Sequence, residues 1–441
     1  METHSAFHNA VALIHHRPDT DSLAKALDLC QGLQGVSLKT QILIKPNLVF
    51  WDDSIPFPPY GVLTTTRMVE ALVANLKERG FQNITVGEGT MLDRQLNISA
   101  KTIFKRFGYD RFVKRYGVRL IDFFDEPFIS VKQDGVEMGV AKSALDAEFL
   151  ITLPALKTHS QTKISLGIKN LKGAVDMKTR RLFHSPKVDL DQCIALLGQL
   201  LEPDLNIIDG IYGLEQGPHF FGQAHRFDTI MISKNPLAAD IGACYLMGID
   251  PEKVGHLREM AQRMEFPMKE EDINFFGDSL GGIKKTLRWD WEWMEDGSGP
   301  VAFGEMGIYG INIPKYDHTF CTGCSVYMNP LLVMLSSMWK KDKKSTGFEF
   351  LTGKTMQSQG GYDKTFLLGQ CMIKANRSNP KIRSAVPIPG CPPTLEDLVK
   401  IFRENGVEID MEDYHRYRKY LVERYQRKPE FDPEDFFERG K

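Results

Sequence analysis

Through the first two thirds of the chain, short apolar runs of strand character alternate with amphipathic stretches of helical spacing. Val11–Ile14 reads as a strand, Ser22–Leu29 as a helix, and Gln41–Ile44 as a buried strand ending in K-P-N. Thr64–Thr66 offers an N-cap to the run Met68–Arg79, which stops at Gly80. Ile84–Val86, Arg119–Ile121, Phe149–Leu153, Leu205–Ile208 and Thr229–Ile232 read as further strands with helices between them. The series predicts an α/β fold, with a mostly parallel sheet covered by helices. In such sheets ligands collect at the carboxyl ends of the strands.

Polar residues recur at those ends. Lys45 and Asn47 follow one strand, Glu88 the next, and Lys157 and His159 a third, while Asp209 closes Leu205–Ile208. Lys169, Asn170 and Lys172 lie in I-K-N-L-K-G, with His184 beyond them in L-F-H-S-P. Taken singly, each suits a cap or a turn. As a set, lysines beside glycine-rich turns suit an anionic ligand such as phosphate or carboxylate, because ammonium groups and free backbone N–H donors both favour negative charge. Solvated surface lysines are the alternative. The set Lys45, Glu88, Lys157, His159, Lys169 and Asp209 is expected to line one cleft.

The last third carries a different chemistry. Cys321 and Cys324 form C-T-G-C, Cys371 follows L-G-Q, and Cys391 lies in G-C-P-P. A C-x2-C loop converges two thiolates, and two from distant segments complete a [4Fe–4S] cluster or a tetrahedral zinc site. One C-x2-C with long, uneven spacings and a Cys-Pro step favours the cluster, and zinc stays as the alternative. A disulfide framework suits small secreted chains rather than one of 441 residues with seven cysteines. Cys30, Cys193 and Cys244 sit in apolar stretches and read as packing residues.

The composition sets limits on partners. With 42% hydrophobic residues the chain can bury a large core, and its formal charge of −2 gives no electrostatic case for nucleic acid or a membrane surface. No run approaches the roughly 20 apolar residues of a spanning helix. The N-terminus has no signal-peptide pattern, so a cytoplasmic location is expected. The tail Met411–Lys441 interleaves tyrosines with basic residues at helical spacing, which suits a helix docking on the body or on a second copy, as in a homodimer.

The motifs resemble the DUF362 family: I-K-P-N-L-V at Ile44–Val49, T-T-T-R-M-V-E-A-L at Thr64–Leu72, V-G-E-G at Val86–Gly89, L-P-A-L-K-T-H at Leu153–His159, G-I-K-N-L-K-G at Gly167–Gly173, I-I-D-G-I-Y-G at Ile207–Gly213, E-Q-G-P at Glu215–Pro218 and N-P-L-A-A-D at Asn235–Asp240. The resemblance covers roughly Lys39 to His256. It implies the α/β fold and an iron–sulfur protein, although the family's ferredoxin-like cysteine runs are replaced here by a variant module. Similarity to a larger group of two-lobed proteins implies two lobes and a ligand cleft between them. The expected division is residues 1–290 as the α/β region, 300–410 as the four-cysteine module and 411–441 as a helical tail.

The function expected is an iron–sulfur oxidoreductase or electron carrier with a redox partner protein. A small anion would be held by Lys45, Asn47, Lys169, Asn170, Lys172 and Asp209, with His159, Glu88 and Lys157 as catalytic groups. A non-redox isomerase or lyase with a structural metal site, and a non-catalytic cluster carrier, are the other readings.

Overall fold

The structure is a computed structural model and describes residues 9–17, 21–51, 57–91, 98–339 and 347–437. The chain forms two compact units, the first of residues 1–179, 191–290 and 425–441, the second of residues 180–190 and 291–424. Its strands are β1 (Ala10–His15), β2 (Ile42–Pro46), β3 (Ile84–Glu88), β4 (Arg119–Asp122), β5 (Phe128–Gln133), β6 (Val136–Ala141), β7 (Phe149–Leu153), β8 (Ala155–His159), β9 (Lys163–Ile164), β10 (Leu205–Glu215), β11 (Gln223–Ser233), β12 (Asn274–Gly277), β13 (Ile311–Asn312), β14 (Phe348–Leu351), β15 (Lys364–Leu368) and β16 (Ala385–Ile388).

The first unit is built on a ten-stranded sheet of order β12-β1-β11-β10-β7-β2-β3-β4, with β8 and β9 attached beside β10. The run β10-β7-β2-β3-β4 is parallel throughout. Its central members are buried along their whole length, as expected of parallel strands covered on both faces. Helix Pro236–Leu246 packs on β10 and β11, and helix Ser22–Leu29 on β1 and β11. The expected helix starts and strand positions agree closely with these elements, including Ser22–Leu29 and Phe149–Leu153 at both ends.

One stretch differs. No helix separates the strands read at Leu205–Ile208 and Thr229–Ile232; both lengthen to eleven residues and pair antiparallel as β10 and β11. Gly210 and Gly213 interrupt the apolar pattern that marks a strand, so its second half was hidden in the sequence. The ladder accommodates them with a register shift between Gly210 and Tyr212.

The second unit has its own four-stranded sheet, β13-β14-β15-β16, parallel throughout and in chain order. Its core is aromatic. Phe402, from helix Leu395–Glu404, stacks on Phe366 with centroids 4.1 Å apart and lies edge-on to Phe348. The stretch expected as one tail is divided: helix Met411–Glu423 packs on helix Met328–Trp339 in the second unit, whereas residues 425–437 belong to the first. There Tyr425 and Phe431 pack around Tyr60, whose hydroxyl donates to the Phe431 carbonyl at 2.7 Å.

Candidate functional site

In the first unit the strand ends build a network of buried charge. The Lys45 amine, 1% exposed, donates to Glu88 Oε1 at 2.7 Å, to the Pro46 carbonyl at 3.2 Å and to Asn170 Oδ1 at 3.3 Å. Glu88 also accepts from Gly89 N and Leu48 N, both at 2.9 Å, so donors hold both its oxygens. That makes Glu88 the counter-ion of Lys45. Gly173 covers this pair so closely that a Cβ there would collide with the Glu88 carboxylate and the Lys45 amine.

Asn170 is the hub. Its Nδ2 donates to Lys45 O at 2.9 Å and to Thr152 Oγ1 at 3.0 Å, and its Oδ1 also accepts from Asn47 Nδ2 at 3.2 Å. The amide's full hydrogen-bonding capacity is spent within the protein. Asn47 is tied in on the other side, accepting at Oδ1 from the Lys157 amine at 2.5 Å. Thr64 Oγ1 accepts from Asn47 N and donates to Leu153 O, which locks the ends of β2 and β7 to the start of helix Thr66–Glu78.

Asp209 supports that same helix start. Its Oδ2 accepts from Thr65 N at 2.6 Å and its Oδ1 from Ile211 N at 3.2 Å. It therefore orders backbone beside the network. His184 belongs to the second unit, where its Nδ1 is 2.6 Å from the His318 carbonyl.

Beside this network stand further basic groups, of which Lys157 also donates to the Val62 carbonyl at 2.7 Å. Lys157 is 1% exposed, and burial reinforced by the Lys169 charge lowers its amine to about 7. Burial likewise holds Lys169 at about 7, with only Asp191 opposing. His159 is pushed well below its ordinary value by burial, then by Lys169, Lys172, His219 and Lys157. His219, which the sequence reading passed over, is held at about 4 by burial and by the charges of Lys157 and Lys169. The signal available for it was position, since it directly follows E-Q-G-P at the end of β10.

A second missed residue is Asp240. It is fully buried on helix Pro236–Leu246 and accepts from Gly167 N and Ile168 N, both at 2.9 Å, and from Asn206 Nδ2 at 2.8 Å. It thereby fixes the turn Gly167–Asn170 that carries Lys169 and Asn170. Burial outweighs these donors and raises its carboxyl to about 6. An acid within an otherwise apolar helix was the sequence signal.

The second unit gathers its thiols where a parallel sheet gathers ligands. Cys371 lies just beyond β15 and Cys391 just beyond β16, and Gln370 N donates to the Gly390 carbonyl at 3.0 Å, tying the two loops together. Gly369 has φ +76°, and the Cβ it lacks would stand 3.6 Å from Cys324 Sγ. Cys324 N donates to the Cys321 carbonyl at 3.1 Å, and the neighbouring thiol lowers Cys321 to about 5 and raises Cys324; burial and the charges of Cys321, Cys391 and Cys371 raise Cys324 further. Cys371 is raised by burial and eased downward by Lys354. Among the described residues, no three of His, Cys, Asp or Glu are gathered as closely as a single metal ion requires. Cys30, Cys193 and Cys244 are buried in the first unit, at 2%, 0% and 0% exposure.

Residues 42–245 match the family model described as a domain of unknown function, DUF362. A thylakoid-associated protein of Synechocystis sp. is 24% identical over 241 residues, covering 52% of this chain and 72% of the relative. Among solved structures, the lactate racemase apoprotein of Thermoanaerobacterium thermosaccharolyticum aligns with a TM-score of 0.36 and 13% identity, over 56% of this chain and 58% of that one. The chain thus spans little more than half of that structure. No helix among the described residues is long and apolar enough to cross a membrane.

Proposed function

We propose that this chain, which belongs to the DUF362 family through residues 42–245, is an iron–sulfur protein whose Cys321, Cys324, Cys371 and Cys391 hold one [4Fe–4S] cluster. We further propose that its lysine and histidine cluster binds an anionic ligand. The carrying observation is the common neighbourhood of the four thiols: two follow adjacent parallel strands, and Cys324 senses the charges of the other three. Tetrahedral zinc brings thiolate sulfurs to about 3.8 Å from one another, while a cubane spreads them to about 6–7 Å. The long, uneven cysteine spacings with a single C-x2-C suit the cluster. When bound, it would supply one-electron transfer, so the chain would act as an oxidoreductase or carrier. In the first unit, Lys157 and Lys169 would hold the anion, and the Lys45–Glu88 pair would keep the strand ends in place.

Anaerobic purification with iron, sulfide and zinc analysis tests this directly. The expected sample is brown, holds about four irons and four sulfides per chain, and bleaches with dithionite. A colourless sample with one zinc per chain would overturn it.

The Lys157 amine favours a second reading, in which the metal centre is structural and the first unit performs acid–base chemistry as an isomerase or lyase. A buried amine poised at about 7 suits a general base. Under that reading the zinc-loaded or redox-silent protein would retain a proton-transfer activity that Lys157→Met abolishes.

A further inference from the structure

We infer that Lys157, His159, Lys169, Lys172 and His219 form a receptor for a compact dianionic oxyanion, the phosphoryl group of a phosphorylated small molecule being the chemical class that fits. This rests on the reading of the region as an anion site and narrows it to a particular charge and donor pattern.

Backbone contacts hold the group together. Gly217 N donates to Thr158 Oγ1 at 2.9 Å and Ser160 N to the Gly217 carbonyl at 3.1 Å, which fixes the loop bearing His219 against the strand bearing Lys157 and His159. Ser165 N donates to the Lys157 carbonyl at 2.9 Å, and Asp240 anchors the turn that follows, bearing Lys169. Ordered backbone thus holds the strand, the loop and the turn that bear Lys157, His159, His219 and Lys169.

The donor pattern follows from the partners. Gln161 N–H donates to His159 Nδ1 at 3.1 Å, so that nitrogen is the acceptor and the neutral ring carries its proton on Nε2. The Lys169 amine and the His219 ring make no hydrogen bond or ion pair to a described residue. The nearby acids are committed, Glu88 to Lys45 and two backbone donors, and Asp191 to His256 Nδ1 at 3.1 Å. Ammonium groups and an imidazole N–H are donors, and a phosphoryl group offers acceptors alone.

Charge sets the valence. Asp191 faces Lys169, Glu88 and Lys45 face Lys157, and the charges that bear on His159 and His219 are those of the group's own cationic members. Burial, reinforced at Lys157 by the Lys169 charge, therefore keeps both lysines partly deprotonated near neutral pH. A dianion offsets that penalty and draws protons back onto them, so binding takes up protons. A single carboxylate offsets less and draws fewer.

Titration calorimetry of the full chain with inorganic phosphate and with acetate, at pH 7.5 in two buffers of different protonation enthalpy, tests the inference. Phosphate is expected to bind with uptake of about one proton or more and at least about tenfold tighter than acetate. Lys169→Met and His219→Gln should each weaken phosphate about tenfold or more at unchanged circular dichroism and iron content. Lys169→Gln replaces the methionine variant if the latter does not fold. Acetate binding as tightly as phosphate, or phosphate binding without proton uptake, overturns the inference and leaves the anion reading standing. Binding of neither anion overturns both.

Discussion

The two units prepare for a ligand in opposite ways. In the first, Lys45, Glu88, Asn47 and Asn170 have spent their hydrogen bonds on one another, and the groups beyond them are held on fixed backbone. In the second, Cys321, Cys324 and Cys371 are half-buried on short helices or their caps and Cys391 is exposed, with Cys324 N donating to the Cys321 carbonyl. A buried ion pair is costly unless its partners are complete, so the first site has to be finished by folding. Thiols tolerate an unfinished arrangement because the incoming group supplies the bonds that organise them. The first site should therefore fail through instability and the second through loss of cofactor.

The largest effect expected is on iron. Serine at any one of Cys321, Cys324, Cys371 or Cys391 should reduce bound iron to less than about a fifth, because a cubane is held by one thiolate at each corner. Serine at Cys30, Cys193 or Cys244 should leave the iron stoichiometry unchanged. Iron analysis of the seven variants decides it, and equal losses in both groups would erase the contrast between packing and ligand cysteines.

Next comes Glu88→Ala, which strands the Lys45 ammonium. Urea denaturation should show a loss of about 3–5 kcal/mol, with iron content retained. The double change Lys45→Met with Glu88→Leu should recover much of it. A loss below about 1 kcal/mol would mean that water reaches the pair and that the first site is less finished than described.

Asp240→Asn should cost about 1–3 kcal/mol, the price of leaving buried donors poorly matched, and should also weaken anion binding by loosening the turn that bears Lys169. An asparagine variant with full stability but reduced binding would separate the two roles.

The smallest effect is a slope. Lys169 is lowered to about 7 in the folded chain from an ordinary 10.5, so between those values the unfolded chain binds the extra proton and stability rises with pH. Below about 7 both states are protonated and the folded chain bears the full penalty. Lys169→Met should flatten the stability profile between pH 7 and 10 by at most about 1.4 kcal/mol per pH unit, and identical profiles for variant and parent would place that amine in water.

Much of the first unit was legible because parallel strands buried on both faces announce themselves as apolar runs, and the motifs at their ends carried Lys45, Asn47, Glu88, Lys157 and Asn170 to one place. What stayed hidden was the difference between a residue that faces a ligand and one that completes the scaffold. Asp209 and Asn170 look alike from the sequence as polar residues near strand ends, yet their partners are backbone amides and neighbouring side chains. His219 was obscured because nothing local distinguishes a histidine after a turn from a solvated one. Its meaning comes from Lys157 and Lys169, which are distant in sequence. The cysteines reversed this balance, since their spacing spoke for a shared centre while the sheet that gathers them was not foreseen.

The carboxylate of Asp240 has a consequence on the scale of time. The amide hydrogens of Gly167 and Ile168 point at a fully buried acceptor, so they exchange with solvent only when the Lys169 turn detaches from helix Pro236–Leu246. Those two amides are therefore a clock for that turn. Their exchange rate measures how often the cationic group comes apart in the absence of ligand.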